Sequence, residues 1–260
     1  MNDPHVVALE YVIEHGPDID WSRAAPLDVQ EAGFDVRVES GRVTFSFTDH
    51  HASEEVARFA VEERYIPEWE FVVGLERGPN VFRLRFDRVE IEDRNPRPGP
   101  PTLRADASFG PLTSSANLAP PAPRAFPAPP RRGIKRSPYV DRMYLRYLRH
   151  LEGREPLPAM AFFCLTVLEV EHGSRPEAAK RLAISGSFLD RVGDLSTDAG
   201  GVVARKAHGR STPYTPDDER FLKSAVKTMI RRAAEVACNP ERNREKITLK
   251  TFRRKPGVVR

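Results

Sequence analysis

The chain has no lysine before Lys135 and only two cysteines, Cys164 and Cys238. Two distant thiols without a CxxC partner exclude a disulfide framework and a cysteine zinc site, and make a reducing cytoplasm the expected compartment. Long apolar runs are also missing. The longest, Leu157–Leu168, is interrupted by Pro158 and Thr166. A bilayer takes about 20 residues to span, so this run predicts a buried core helix and no membrane contact. The opening Met-Asn-Asp-Pro-His lacks the basic-then-apolar layout of a signal peptide. There is no P-loop, no nucleophile elbow and no dinucleotide-binding glycine pattern. His5, His15 and the triplet Asp49-His50-His51 show no metal-ligand spacing. No cofactor is expected.

What the chain does have is a division of charge. Residues 1–130 hold 13 Arg, no Lys and 22 Asp+Glu, a balance of −9. Residues 131–260 hold 28 Lys+Arg and 15 Asp+Glu, a balance of +13. The overall +4 therefore averages two modules of opposite sign. A basic module of this kind suits a polyanionic partner, RNA or DNA, and leaves the acidic module for another task.

The pattern predicts an α+β domain at 1–93, a Pro-rich linker at 94–138, an all-α domain at 139–238 and a basic tail at 239–260. Val6–Glu14 reads as a strand, and Ser40-Gly41 reads as a hairpin turn between two alternating strands. One long helix follows from Ser53, with Val56, Phe59 and Ala60 buried and Pro67 interrupting it. In the last strand, Phe82, Leu84 and Phe86 are out of phase with Val89 and Ile91, which predicts a bulge near Asp87-Arg88. Eleven of the 24 prolines lie between Pro96 and Pro130, so much of that stretch should be extended.

The second half reads as helices. From about Tyr139 to Leu151, Val140, Tyr144, Tyr147, Leu148 and Leu151 share a face, and Arg142, Arg146 and Arg149 form a basic stripe. Thr215, then Pro216, then three acids form a strong helix start. That helix carries a second stripe, Lys223, Lys227 and Arg231. The tail is expected to be mobile, with a short strand at Ile247–Phe252. Clustered cations on helices are a usual footprint of nucleic-acid contact.

Residues 175–195 (RPEAAKRLAISGSFLDRVGDL) fit a helix-turn-helix template. Ala178 and Ala179 stand at the helix crossing, and Leu182, Ile184, Leu189 and Val192 at buried positions. Ala183 falls where a left-handed residue is needed. Ser187 and Arg191 are the residues placed to read bases, beside Asp190 and Asp194. Two acids aimed at a groove are unfavourable beside phosphates, so a packed helical corner is the competing reading.

The loop 204–210 (ARKAHGR) brings Arg205, Lys206, His208 and Arg210 together. A histidine trades protons near neutral pH and a guanidinium can hold a scissile phosphate. This layout, an Arg…His pair beside a late helix in a basic helical region, resembles the HEPN-like domains. The stretch 145–169, with ARKAHG and RRAAE, also resembles a widespread group of bacterial proteins. The HEPN resemblance covers about residues 139–236 and implies a metal-independent endoribonuclease of a defence or toxin-type system, acting as a dimer. It implies Arg205 as the phosphate-binding residue and His208 as the acid/base, though two residues separate them where the family has four to six. Asp49-His50-His51 resembles the opening of the DHH phosphoesterases, whose companion motifs are absent.

The expected function is therefore nucleic-acid binding by the basic half, with the ribonuclease as its sharpest form. The alternatives are a helix-turn-helix transcriptional regulator and a non-catalytic interaction protein, in which the acidic domain docks on the basic one or on another chain.

Overall fold

The structure, a computed structural model, describes residues 2–17, 19–96, 123–129, 133–197 and 214–254. A five-stranded antiparallel sheet in the first half is followed by helices. The chain divides into two compact units, Met1–Gly74 with Asn80–Pro129, and Leu75–Pro79 with Pro130–Arg260.

In the first unit the strands are β1 (Pro4–Glu14), β2 (Leu27–Glu31), β3 (Phe34–Glu39), β4 (Arg42–Phe47) and β5 (Arg83–Asp93), in the order β2-β3-β4-β1-β5. Strand β2 was not foreseen. Its apolar signal is only Leu27 and Val29, too short to stand out. Ser40 and Gly41 both take positive φ in the β3–β4 turn, as a tight hairpin requires. The expected phase change in β5 is a bulge. Glu10 pairs with Arg88 and Tyr11 with Phe86, so Asp87 is the unpaired extra residue. It resets the alternation, and Leu84, Phe86, Val89 and Ile91 all pack against the core.

The single long helix is in fact two, α1 (Glu54–Glu62) and α2 (Tyr65–Arg77). Pro67 sits in the first turn of α2, where a missing N–H costs nothing. Its ring and lost donor act one turn earlier, at Glu63, and there the helix breaks. The buried face of α1 also differs from expectation. Ala57 and Val61 are fully buried, whereas Val56 is 53% and Phe59 66% exposed. Ala60 is exposed too. Arg58 decides this orientation. It reaches Glu54 and Glu62, lies 4.3 Å above the Phe86 ring, and leaves Glu62 to accept from the Tyr11 hydroxyl.

The segment 94–138, expected as a linker, lies mostly outside the described residues. Of the part that is described, Arg124–Pro127 packs into the first unit as an extra layer of core. Ala25 bridges Ala125, Phe126 stacks on Trp21 at 5.7 Å, and the Trp69 indole donates to the Pro127 carbonyl at 3.1 Å.

The second unit contains α3 (Pro138–Leu151), α4 (Leu157–His172), α5 (Arg175–Arg181), α6 (Gly186–Thr197), α7 (Pro216–Cys238) and α8 (Leu249–Arg254). Helix α4 packs against α3, α5, α6 and α7. The buried face of α3 is Tyr139, Val140, Met143 and Tyr147, while Leu151 is exposed. As far as Arg254, the tail is a docked arm rather than a free strand. Ile247 exchanges backbone hydrogen bonds with Ala183 and Ser185, and Phe252 of α8 packs edge-on to Phe188 and Phe221.

Removing Phe126 should cost the first unit about 3 kcal/mol, at the low end for a buried aromatic. Phe126→Ala should therefore lower the urea midpoint read by tryptophan fluorescence, while leaving the helical unit unchanged.

Candidate nucleic-acid interface

Most of the cations expected to form the interface are engaged within the second unit. Arg146 pairs with the buried carboxylate of Glu155 at 3.1 Å and lies 4.2 Å above the Phe163 ring. Lys227 donates to the Glu76 carbonyl at 3.1 Å, and burial holds its ammonium below the ordinary lysine value. Arg231 pairs with the Glu76 side chain. Lys223 pairs with Glu219 one turn back on α7, an exposed contact worth little. Of the α3 stripe, only Arg142 and Arg149 are exposed with no side-chain partner among the described residues.

The helix-turn-helix geometry is present. Ala183 has φ +49, the left-handed value this turn requires, and Leu182, Ile184, Leu189 and Val192 are fully buried. The reading face is another matter. Arg191 is turned back to Asp218, and Asp190 pairs with Arg175. Ser187, Asp190 and Asp194 are what α6 exposes. Gly193 is explained by Arg175 as well, because a Cβ there would meet its guanidinium at 3.1 Å. The element is thus built as a corner with an anionic outer face.

Arg205, Lys206, His208 and Arg210 lie outside the described residues. His5, His50 and His51 do gather, with the His5 and His50 rings stacked at 5.3 Å. The Val6 N–H donates to the His51 carbonyl at 2.9 Å, so the cluster seams β1 to the β4–α1 connection. Burial lowers the pKa of His5 and His51, and among the described residues no cluster of His, Cys, Asp or Glu suits a metal.

Cations without strong partners converge where the basic tail, with Arg242 and Arg244, meets Lys180 and Arg181 of α5, a juxtaposition the sequence did not foresee. Beside the α5–α6 turn, the stretch Pro240–Arg244 closes a groove of about 530 Å³ with Lys180 and Arg181. Lys180 and Arg242 are exposed with no side-chain partner among the described residues, and Arg181 only grazes Glu241 at 4.0 Å. Arg244 shapes the wall. Its guanidinium donates to the carbonyls of Glu235, Asn239 and Arg242, closing the end of α7. Lys180, Arg181, Arg242 and Arg244 outnumber Glu177 and Glu241 in the lining. Sequence could not bring residue 180 beside residue 242, since the link is the Ile184–Ile247 bridge. The lining has no aromatic ring, which suits phosphates rather than bases.

No protein-family model, curated protein or solved structure matches the chain. Among the described residues no helix is long and apolar enough to cross a membrane.

The pairing of Asp218 with Thr215 and Arg191 makes a pH prediction. Hydrogen bonds from Thr215, then the Arg191 charge, hold the Asp218 carboxyl below its ordinary 3.8. A carboxyl depressed on folding stabilises the fold above its unfolded value, and this is lost as pH falls through the folded value. Asp218→Asn should cost about 1 kcal/mol at pH 7, in line with losing a helix cap. Below that folded value, mutant and wild-type melting curves should converge.

Proposed function

We propose that the helical unit binds the phosphate backbone of nucleic acid, without reading sequence, at the groove beside the α5–α6 turn. The observation that carries this reading is the convergence of Lys180, Arg181 and Arg242 on one groove, on a half-chain whose balance is +13. Most other cations of this unit's helix faces meet internal carboxylates or carbonyls, as Arg146, Lys227 and Arg231 do. Cations left without partners carry the cost of mutual repulsion, and a polyanion offsets it by exchanging many condensed counterions for a few fixed ones. Arg142 and Arg149 add a second contact surface on α3. The acidic outer face of α6 weighs against a transcriptional regulator. Neither Cys164 nor Cys238 forms a disulfide, which accords with a cytoplasmic setting.

The finer reading is a metal-independent endoribonuclease. In it, Arg205 holds the scissile phosphate and His208 moves the proton of the ribose 2′-hydroxyl. General acid–base catalysis contributes about 10²–10⁴-fold. His208→Ala should therefore cut RNA at least a hundredfold more slowly, in EDTA as without it. Intact RNA after long incubation with the wild-type chain ends this version and leaves the binding version standing.

Binding is tested by fluorescence anisotropy of the full chain with labelled RNA and duplex DNA across a salt series. Each neutralised phosphate contributes a log–log slope of about −0.9 on duplex and −0.7 on single strands. Replacing Lys180, Arg181 and Arg242 by Glu should flatten the slope by about 2.7 on duplex and about 2.1 on single strands, and weaken all sequences alike. Unchanged affinity in this triple variant removes the groove from the reading. Unchanged affinity in Arg142→Glu/Arg149→Glu would leave the groove as the whole interface.

A further inference from the structure

We infer that the outer face of α1 in the sheet unit is a docking site for a cationic, amphipathic helical segment of another protein. Five large apolar side chains are exposed among the described residues, and two of them, Val56 and Phe59, lie one turn apart on this nine-residue helix. Ala60 continues the same surface. Scattered single apolar residues need no explanation, whereas this adjacent group with a predominantly acidic border is what a charge-complementary partner would cover.

The rim says what sort of partner fits. Glu55, Phe59 and Glu63 follow at i, i+4 and i+8, so the two acids flank the phenyl ring along the helix. Both carboxylates are exposed and make no ion pair among the described residues. Glu54 and Glu62, by contrast, are held by Arg58. The side chains of these four glutamates, Arg58 and Phe59 leave a shallow, open cleft along this flank. Four acids against one arginine leave the surface anionic, within a half-chain whose balance is −9. An apolar strip with an acidic border excludes an anionic membrane surface and suits a helix that presents apolar side chains between cations. Eight residues of helix rise about 12 Å. The partner's two cations should therefore stand about two turns apart, with Leu, Ile or Phe between them. The surface lies on the sheet unit, so this inference is independent of the nucleic-acid reading.

The test uses the full chain and a panel of labelled synthetic helical peptides. Each carries two Arg eight residues apart on one stripe, with Leu, Ile or Phe midway. At least one peptide should bind saturably. Phe59→Ser should weaken it at least tenfold, and Glu55→Lys/Glu63→Lys should abolish it. The reversed-charge peptide, Glu for Arg, should bind the doubly substituted chain and not the wild type. Because all three side chains are exposed, melting curves should match wild type, which separates lost docking from lost fold. Binding by no peptide, or equal binding by wild type and Phe59→Ser, overturns the inference. So does a concentration-dependent dimer that Phe59→Ser dissolves, since the occupant would then be a second copy of this chain.

Discussion

A helix that is apolar over about half its circumference has to be covered by several neighbours. Helix α4 is that helix. Leu157, Met160, Ala161, Cys164, Leu165, Val167 and Leu168 are all buried along this broad arc, while Ala159 and Val170 stand exposed on the opposite side. A narrow stripe would need one neighbour, and this arc needs several. Helices α3, α5, α6 and α7 supply them. Gly173, with φ +87, ends α4 and turns the chain, and Ser174 at once caps α5. The sharp α5–α6 corner follows from the same demand, because both short helices must lie on α4. The left-handed Ala183 is held there by packing on either side, with Leu182 and Ile184 fully buried.

Enclosing α4 also disposes of charge. Glu155, just before the helix, is buried and would be costly alone, so Arg146 of α3 turns inward to meet it. Arg175 bridges Glu169 of α4 and Asp190 of α6. Arg244 closes the carbonyl end of α7, where a guanidinium's forked donors meet several acceptors at once. Each of these arginines is structural. Of the outward cations with no acceptor beside them, Lys180 and Arg242 meet where the docked arm passes α5, and Arg142 and Arg149 lie on α3. The groove is in this sense a residue of the packing, and its chemistry is set by which charges the interior left over.

The sheet unit solves a different problem. Its core is aromatic, with Trp21, Trp69, Phe82 and Phe126 in mutual contact and Tyr11, Phe34, Phe45 and Tyr65 forming a second group. Both indoles donate to backbone carbonyls, Trp21 to Val81 and Trp69 to Pro127, so neither indole N–H is left unmet. Two small residues, Ala57 and Val61, face this core from α1. The largest apolar residue of α1, Phe59, stands outside, on the side away from the face that Arg58, Glu62 and Tyr11 turn inward.

The sequence by itself determined what depends on neighbours in the chain. The hairpin at Ser40-Gly41, the bulge at Asp87, the capping of α7 by Thr215 and the left-handed place of Ala183 are all local geometry. The tertiary structure decided what depends on distant partners. Helical periodicity marks two apolar stripes on α1 equally well, and only the Arg58 contacts with Glu54, Glu62 and Phe86 select one. A basic stripe reads the same whether it faces solvent or a carboxylate. Glu155 and Glu76, neither within a helical turn of the arginine it meets, engage Arg146 and Arg231. The pairing of Lys180 with Arg242 at one groove required a backbone bridge between Ile184 and Ile247. No spacing rule spans such a separation, because chain connectivity fixes neighbours within a turn and packing alone fixes the rest.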